Sequence, residues 1–449
     1  MLHDLGFRCN VWHSWCVSWP RRRENSLVSQ IAPDPTLSAW FRSAAPDWPD
    51  AVLPAYAGGS IANLVSSALD ALDVPRVVRP DVLPPVDPAI LPPRFAHGAR
   101  VVILLVVDGL GQLALDAARE RGDVPGLAGA HHAATLTSVF PPTTAAATTS
   151  LQFGIAPATH GMAGYTLYFP AIKRVVNMIT WRLAGSEQDP TPPPDPRRML
   201  RQSNVFKVVQ RAGLDAGIVS NIWFEHSPLT IAQAEGVRYR GYRTVAEFAR
   251  RLMREVERPG RRFVFAYWDG FDALGHTWGS DSDVSRLELR LLDQALREGF
   301  FEPLAELGED VAVLLTADHG HTPTPIEDRL SLADVPGLVR HLAHRPTGEP
   351  RQLGLRFDVD PHPFRRAILK QWPGQVAVGD MREALAAGLY GPPPHHPELE
   401  QRLGDTLVLA RGSAAINFPG GASGSRGGHG SLSAAEMLVP LLGWRFGAR

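Results

Sequence analysis

Cysteine is almost absent from this chain, with only Cys9 and Cys16 among 449 residues. Both lie in the first sixteen positions, so no disulfide braces the body of the fold, which fits a reducing compartment. Long apolar runs are also missing. Nothing approaches the roughly 18 apolar residues of a membrane-crossing helix, so no membrane segment is expected. Neither sign of charge dominates: 45 Lys plus Arg against 46 Asp plus Glu leave a formal net charge of -1. That balance gives no sign of a nucleic-acid patch. The opening MLHDLGFRCNVWHSWCVSWPRRREN lacks a charged start followed by a clean apolar stretch. A secretory signal is therefore not read, and a cytoplasmic location is expected in preference to export. Residues 1–35 are expected to form a flexible extension.

What is present is the composition of a globular protein, 44% hydrophobic and 20% charged, long enough to bury a large core. The forty prolines point to many loops, and VLPPVDPAILPP (82–93) and DPTPPPDPRR (189–198) read as extended connections. Four apolar runs, RVVILLVV (100–107), AGIVS (216–220), RFVFAYW (262–268) and VAVLLTA (311–317), have the look of strands covered on both faces. Helical spacing separates them. Leu113, Leu115 and Ala118 suggest one helix, and Val245, Phe248, Ala249, Leu252 and Val256 share one face of another. The alternation predicts an α/β layered sandwich with a mainly parallel central sheet. Residues 322–425 are less regular and read as a small cap inserted into a main domain of 36–321 and 426–449.

Three of these strands run into acidic residues. VVDGLG places Asp108 at one exit, YWDGFDALGH places Asp272 and His276 past another, and LLTADHGH places Asp318 and His319 at a third. The carboxyl ends of parallel strands share one edge, so these scattered residues are expected to converge there. RGGHGSLS adds His429 in a glycine-rich loop, leading into a helix expected over about 434–442. Carboxylate and imidazole together suit Zn²⁺ or a similar first-row metal, whereas carboxylate alone would suit Mg²⁺. Three aspartates and three histidines suffice for two divalent ions with positions left open, the pattern of a catalytic site. Such a pair about 4 Å apart would suit in-line phosphoryl transfer. The uncharged stretch TSVFPPTTAAATTSL (137–151) offers hydroxyls as nucleophile, although a threonine there could equally cap a helix.

Six pieces occur in order: VVDGLG, FPPTT, GIAPATHGMAGY, DALGH, TADHGH and GGHGSLS. Together they resemble the alkaline phosphatase superfamily, specifically its type I phosphodiesterase/nucleotide pyrophosphatase family, over about residues 100–445. The resemblance implies an alkaline-phosphatase-like fold and a hydrolase of phosphoesters or nucleotides. It implies a two-metal site, Zn²⁺ or else Mn²⁺, working through a phosphothreonine intermediate. The family's threonine precedes a Gly-x-x-Pro-x-x-His-Gly turn, which assigns the nucleophile to Thr144, ten residues before Gly154. Asp272, His276 and His429 would hold one ion, and Asp108, Asp318 and His319 the other, with Thr144 facing it.

The chain also departs from the family. Nucleotide-handling members often carry an aromatic after the nucleophile, where this chain has Ala145. An asparagine commonly follows the His-Gly turn, where this chain has Tyr165, while Tyr267 matches a family tyrosine ahead of the metal aspartate. Tyr165, Tyr267 and Ala145 are therefore the candidate substrate-binding positions. Phosphomonoesterase, phosphonate hydrolase and phosphomutase are close alternatives, and a non-catalytic metal-binding scaffold is a more distant one. A sulfatase would need a Cys/Ser-x-Pro-x-Arg sequence, which is missing here. His321 is expected to stand behind the ligands or face solvent, and His160 to hold a turn. His131, His132, His395 and His396 read as surface-loop residues.

Overall fold

Every residue of the run Val101–Val107 is buried, and parallel strands pair with it on both sides. It is β1 of a computed structural model that describes residues 31–79, 82–95, 97–185, 189–418 and 424–447. In chain order, the main sheet continues with β2 (His132–Thr137), β3 (Asp215–Asn221), β4 (Arg238–Tyr242), β5 (Arg262–Trp268) and β6 (Val311–Thr316). A second sheet follows, built from β7 (Thr347–Glu349), β8 (Gln352–Leu355), β9 (Val376–Asp380) and β10 (Thr406–Ala410). The last strand, β11 (Leu438–Phe446), returns to the main sheet.

The main sheet has the order β2-β11-β6-β1-β5-β3-β4. From β6 to β4 every pair is parallel, while β11 runs antiparallel to both its neighbours. The expected α/β architecture with a mainly parallel sheet is thus present. Within the stretch expected to be a cap, the second sheet is wholly antiparallel, in the order β7-β8-β10-β9.

Among the helices, α1 spans Pro35–Ala44, α2 Gln112–Glu120, α3 Thr144–Phe153, α4 Val245–Glu257, α5 Gly270–Trp278 and α6 Ala434–Met437. The apolar face expected around Val245 is the one α4 buries, with Phe248, Ala249, Leu252 and Val256 all inside. From Ala145 onward, every side chain of α3 is buried. That crowding accounts for its alanines, since larger residues would leave no room for a helix in the interior. No helix among the described residues is long and apolar enough to cross a membrane.

Three expectations need correction. The helix expected to reach residue 442 ends at Met437, and Leu438 starts β11. Pro440 cannot continue a helix, and the apolar run around it is instead buried between β2 and β6. The extension expected over 1–35 lies outside the described residues as far as residue 30. Beyond that it is structured: Ile31 is buried, and the Asp34 carboxylate caps α1 by accepting from Thr36 N at 2.7 Å. Two of the expected surface histidines are not on loops at the surface. His132 lies within β2 with Nε2 against Ile90 O at 2.6 Å, and His396 is buried beneath the Ala158 carbonyl.

Candidate metal centre and substrate cavity

β5, β1 and β6 are adjacent and parallel, with Val106 opposite both Tyr267 and Thr316. Their carboxyl ends finish together. Asp108 follows β1, Asp318 and His319 follow β6, and α5 begins just past β5. On α5, Asp272 and His276 are four residues apart and so share a face. Thr144 is the first residue of α3, and His429 lies in the loop before α6.

Among the described residues three groups could hold an ion, of which the group Asp272, His319 and His321 overlaps the other two, and those two share no residue. Asp108, Asp318 and His319 form one, and Asp272, His276 and His429 the other, with one ligand atom from each residue lying within 4.8 Å of the others in its cluster. These are the two sets that the resemblance implied. In the first, His319 Nε2 lies 3.4 Å from Asp108 Oδ1 and 3.5 Å from Asp318 Oδ2. Both carboxylate oxygens are buried without a hydrogen-bond partner. In the second, His276 Nε2 and His429 Nε2 face each other at 3.2 Å.

The ring tautomers make that approach informative. His276 Nδ1 sits 3.0 Å from Gly427 O, and His429 Nδ1 sits 3.0 Å from Pro142 O. A carbonyl can only accept, so each Nδ1 carries the proton and each Nε2 presents a lone pair. Two lone pairs aimed at one point are repulsive unless a cation lies between them. Orphaned carboxylate oxygens and converging imidazole lone pairs are therefore a donor set that fits divalent metal.

The electrostatics agree. Burial, reinforced by the charges of Asp272 and Asp318, pushes the Asp108 carboxyl well above its usual range. Burial would raise Asp272 too, but the hydrogen bond from His321 and the surrounding imidazoles draw it below the ordinary carboxylate range. Burial lowers His276 against the pull of Asp272, and lowers His429 further, with His319 and His276 adding to the effect. Protons are thus held poorly on His276 and His429, which leaves their nitrogens free as ligands.

Thr144 and Thr143 are distinguished by position. Thr144 Oγ1 lies 3.2 Å from His319 Nε2, at the first cluster. Thr143 occupies the N-cap position of α3, but its side chain makes no cap hydrogen bond. Tyr267 donates its hydroxyl to Asp108 Oδ2, and burial together with that carboxylate raises its pKa. A cavity of about 730 Å³ opens over the clusters, with Thr144, Tyr165, Tyr267, Asp272, His276 and His429 in its wall. Ala145 is fully buried in the core and lies outside that wall. His160 holds a turn, accepting from Met162 N at Nδ1 (3.1 Å) with Nε2 against Ser150 Oγ (3.0 Å).

Two further residues lie beside the clusters: His321, expected behind the ligands or facing solvent, and Glu349, which went unrecognised in the sequence. His321 is fully buried, and its Nε2 lies 2.7 Å from Asp272 Oδ1. A Cβ on Gly109 or on Gly275 of α5 would come within 2.8 Å or 3.0 Å of that nitrogen, so both positions must carry glycine for the ring to fit. The second histidine of ADHGH was the available signal. Glu349 reaches over from β7, with Oε2 3.3 Å from His429 Nδ1, and burial pushes its carboxyl up. Nothing in the local sequence TGEPRQ announces it.

With that geometry in view, comparison with known proteins is direct. A family model described as type I phosphodiesterase / nucleotide pyrophosphatase matches residues 102–370. Alkaline phosphatase PhoK from Sphingomonas sp is 27% identical over 212 residues, which is 39% of this chain and only 38% of that relative's length. Two solved structures share the fold. Murine ectonucleotide pyrophosphatase / phosphodiesterase 5 gives a TM-score of 0.57 at 17% identity, covering 76% of this chain and 87% of that one. Phosphonoacetate hydrolase from Sinorhizobium meliloti 1021, in complex with phosphonoformate, gives 0.57 at 20% identity, covering 77% and 90%.

Proposed function

Because the chain belongs to the type I phosphodiesterase / nucleotide pyrophosphatase family, we propose that it hydrolyses phosphoesters, diesters foremost, with Thr144 as nucleophile. The observation that carries this reading is the Thr144 hydroxyl, 3.2 Å from His319 Nε2 at the edge of a buried Asp/His cluster. Asp108, Asp318 and His319 would hold one divalent ion and Asp272, His276 and His429 a second, Zn²⁺ or Mn²⁺ by the mixture of donors. Bound there, the ions supply Lewis acidity, lowering the threonine pKa and neutralising charge on the attacking and leaving oxygens.

The protein's own groups do the rest. Thr144 opens α3, whose first N–H groups have no partner within the helix and point towards an incoming phosphate oxygen. The hydroxyl gives up its proton to solvent as the Oγ1–P bond forms, and the P–O bond to the leaving group breaks, its oxygen taking up a proton from solvent to depart as the alcohol. Water then cleaves the phosphothreonine, releasing phosphate or a monoester and restoring the hydroxyl. Tyr267, through its hydrogen bond, holds Asp108 in orientation. Ala145 follows Thr144 directly, so no ring at that sequence position stacks on a base.

The test is turnover of bis-(4-nitrophenyl) phosphate against 4-nitrophenyl phosphate, with zinc or manganese added. Faster turnover of the diester is expected. A clear preference for the monoester would shift the reading to a phosphomonoesterase, and no turnover of either would favour the non-catalytic scaffold.

A further inference from the structure

The cavity over the clusters takes part of its wall from the stretch expected to be a cap. Two short strands there, Arg329–Ser331 and Ala415–Asn417, pair in parallel with Arg329 beside Ala415. Arg329, Ala415 and Asn417 all line the cavity, and the small Ala415 side chain leaves room next to the guanidinium.

Two arginines stand in that wall, and they are held very differently. Arg351 is buried and clamped by Glu436, with Nε and Nη2 donating to its two carboxylate oxygens at 3.0 and 2.7 Å. Arg329 is half-buried, and among the described residues no carboxylate lies within ion-pairing distance of it. Its one hydrogen bond runs from Nη2 to the Ser425 carbonyl at 2.6 Å. Nε and Nη1 are left without a partner among the described residues, yet neither is closed off from solvent. A ligand in the cavity can therefore reach them.

Ser425 also ties this cation to the metal centre. Its hydroxyl lies 2.9 Å from His276 Nδ1, so a single residue separates the guanidinium from the second cluster. Thr144 stands at the first cluster, and in-line displacement drives the leaving oxygen off on the opposite side, towards the second. Arg329 thus flanks the leaving group. The planar fork of a guanidinium matches an oxyanion, and a cation without a counter-charge gains most from one.

We propose that Arg329 sets leaving-group specificity: it receives a second oxyanion, a carboxylate or a phosphate-type group, borne by the leaving group of the phosphoester. This deepens the hydrolase reading and rests on it. A leaving group with its own negative charge is favoured over a neutral one of the same shape.

The test uses diesters that differ only at one ring position of the leaving group. Methyl 4-nitrophenyl phosphate is the reference, and its 3-carboxy, 3-phosphonomethyl and 3-carbamoyl derivatives are the probes, the last being neutral. Calorimetry on zinc-loaded Thr144→Ala measures affinity without turnover, and kcat/KM is read on the protein with Thr144 intact. Each anionic group is expected to improve both by about tenfold over the carbamoyl group, and the advantage should shrink as salt rises. The larger of the two advantages identifies the oxyanion received. Arg329→Gln should bring the ratio of charged to neutral to about one, and Arg329→Lys should keep part of it. If Arg329→Gln does not fold, the reduced ratio in Arg329→Lys decides. Equal affinity for charged and neutral probes overturns the assignment, as does an advantage undiminished in the variants. Turnover of the reference diester leaves the hydrolase reading intact in either case. Failure of every diester to bind or turn over overturns the hydrolase reading, and this inference with it.

Discussion

The two ligand clusters are built from the same side-chain types but sit in different surroundings. In the first, Asp318 and His319 have no exposed side-chain surface and Asp108 has 3%. Two of its three members are carboxylates, and all three follow directly on strand ends. In the second, His276 is 38% exposed and Asp272 15%, and two of the three members are imidazoles carried by a helix and a loop. The first cluster concentrates negative charge where water cannot screen it. The second faces the cavity and depends on neighbours such as His321 and Gly427 O for its orientation. An ion in the first should therefore be the harder to remove, and a chelator should strip the second one first.

The comparison can be broken most decisively at Thr144. Thr144→Ala is expected to lower diester hydrolysis by at least about 10³-fold while plasma mass spectrometry still counts both ions. Retained activity would take Thr144 out of the nucleophile's role. Next in size, Asp318→Asn should cost the protein its buried ion, halving the metal content; unchanged stoichiometry would remove Asp318 from the ligands.

A smaller effect sharpens the contrast between the clusters. His321→Asn should weaken metal binding at the cluster containing Asp272 by about 10- to 100-fold, because the hydrogen bond that aims the carboxylate is lost. An equal loss at both clusters would mean that His321 only supports packing.

The smallest effect concerns acid. In the turn, burial and the neighbouring His396 lower the His160 pKa to about 3. Unfolded, it would titrate near 6.5. The unfolded chain therefore binds the extra proton between those values, and this contribution to stability is complete above pH 6.5 and lost as pH falls towards 3. Urea unfolding of metal-free His160→Asn should show a shallower loss of stability across that range. An unchanged slope would place the acid sensitivity in the clusters instead.

The site was legible in the sequence to the extent that its residues adjoin recognisable strands. Asp108, Asp318 and His319 each follow an apolar run, so the edge of a parallel sheet was enough to bring them together. The four predicted strands appear with nearly the expected limits. What escaped was long-range. The contact of His321 with Asp272 depends on the room left by Gly109 and by Gly275 of α5, and Glu349 owes its place to a hairpin of the second sheet. The C-terminal segment looked helical because its apolar residues suit either structure, and only the gap between β2 and β6 made it a strand.

Local order in the chain thus settled the residue types, the strand ends that carry them and the choice of a threonine-bearing helix. Those features depend on hydrophobic runs and short spacings, which act within a few residues. The facing imidazole lone pairs and the dry carboxylates came only with folding. Each is a matter of which distant groups become neighbours and which are left without a partner once water is excluded.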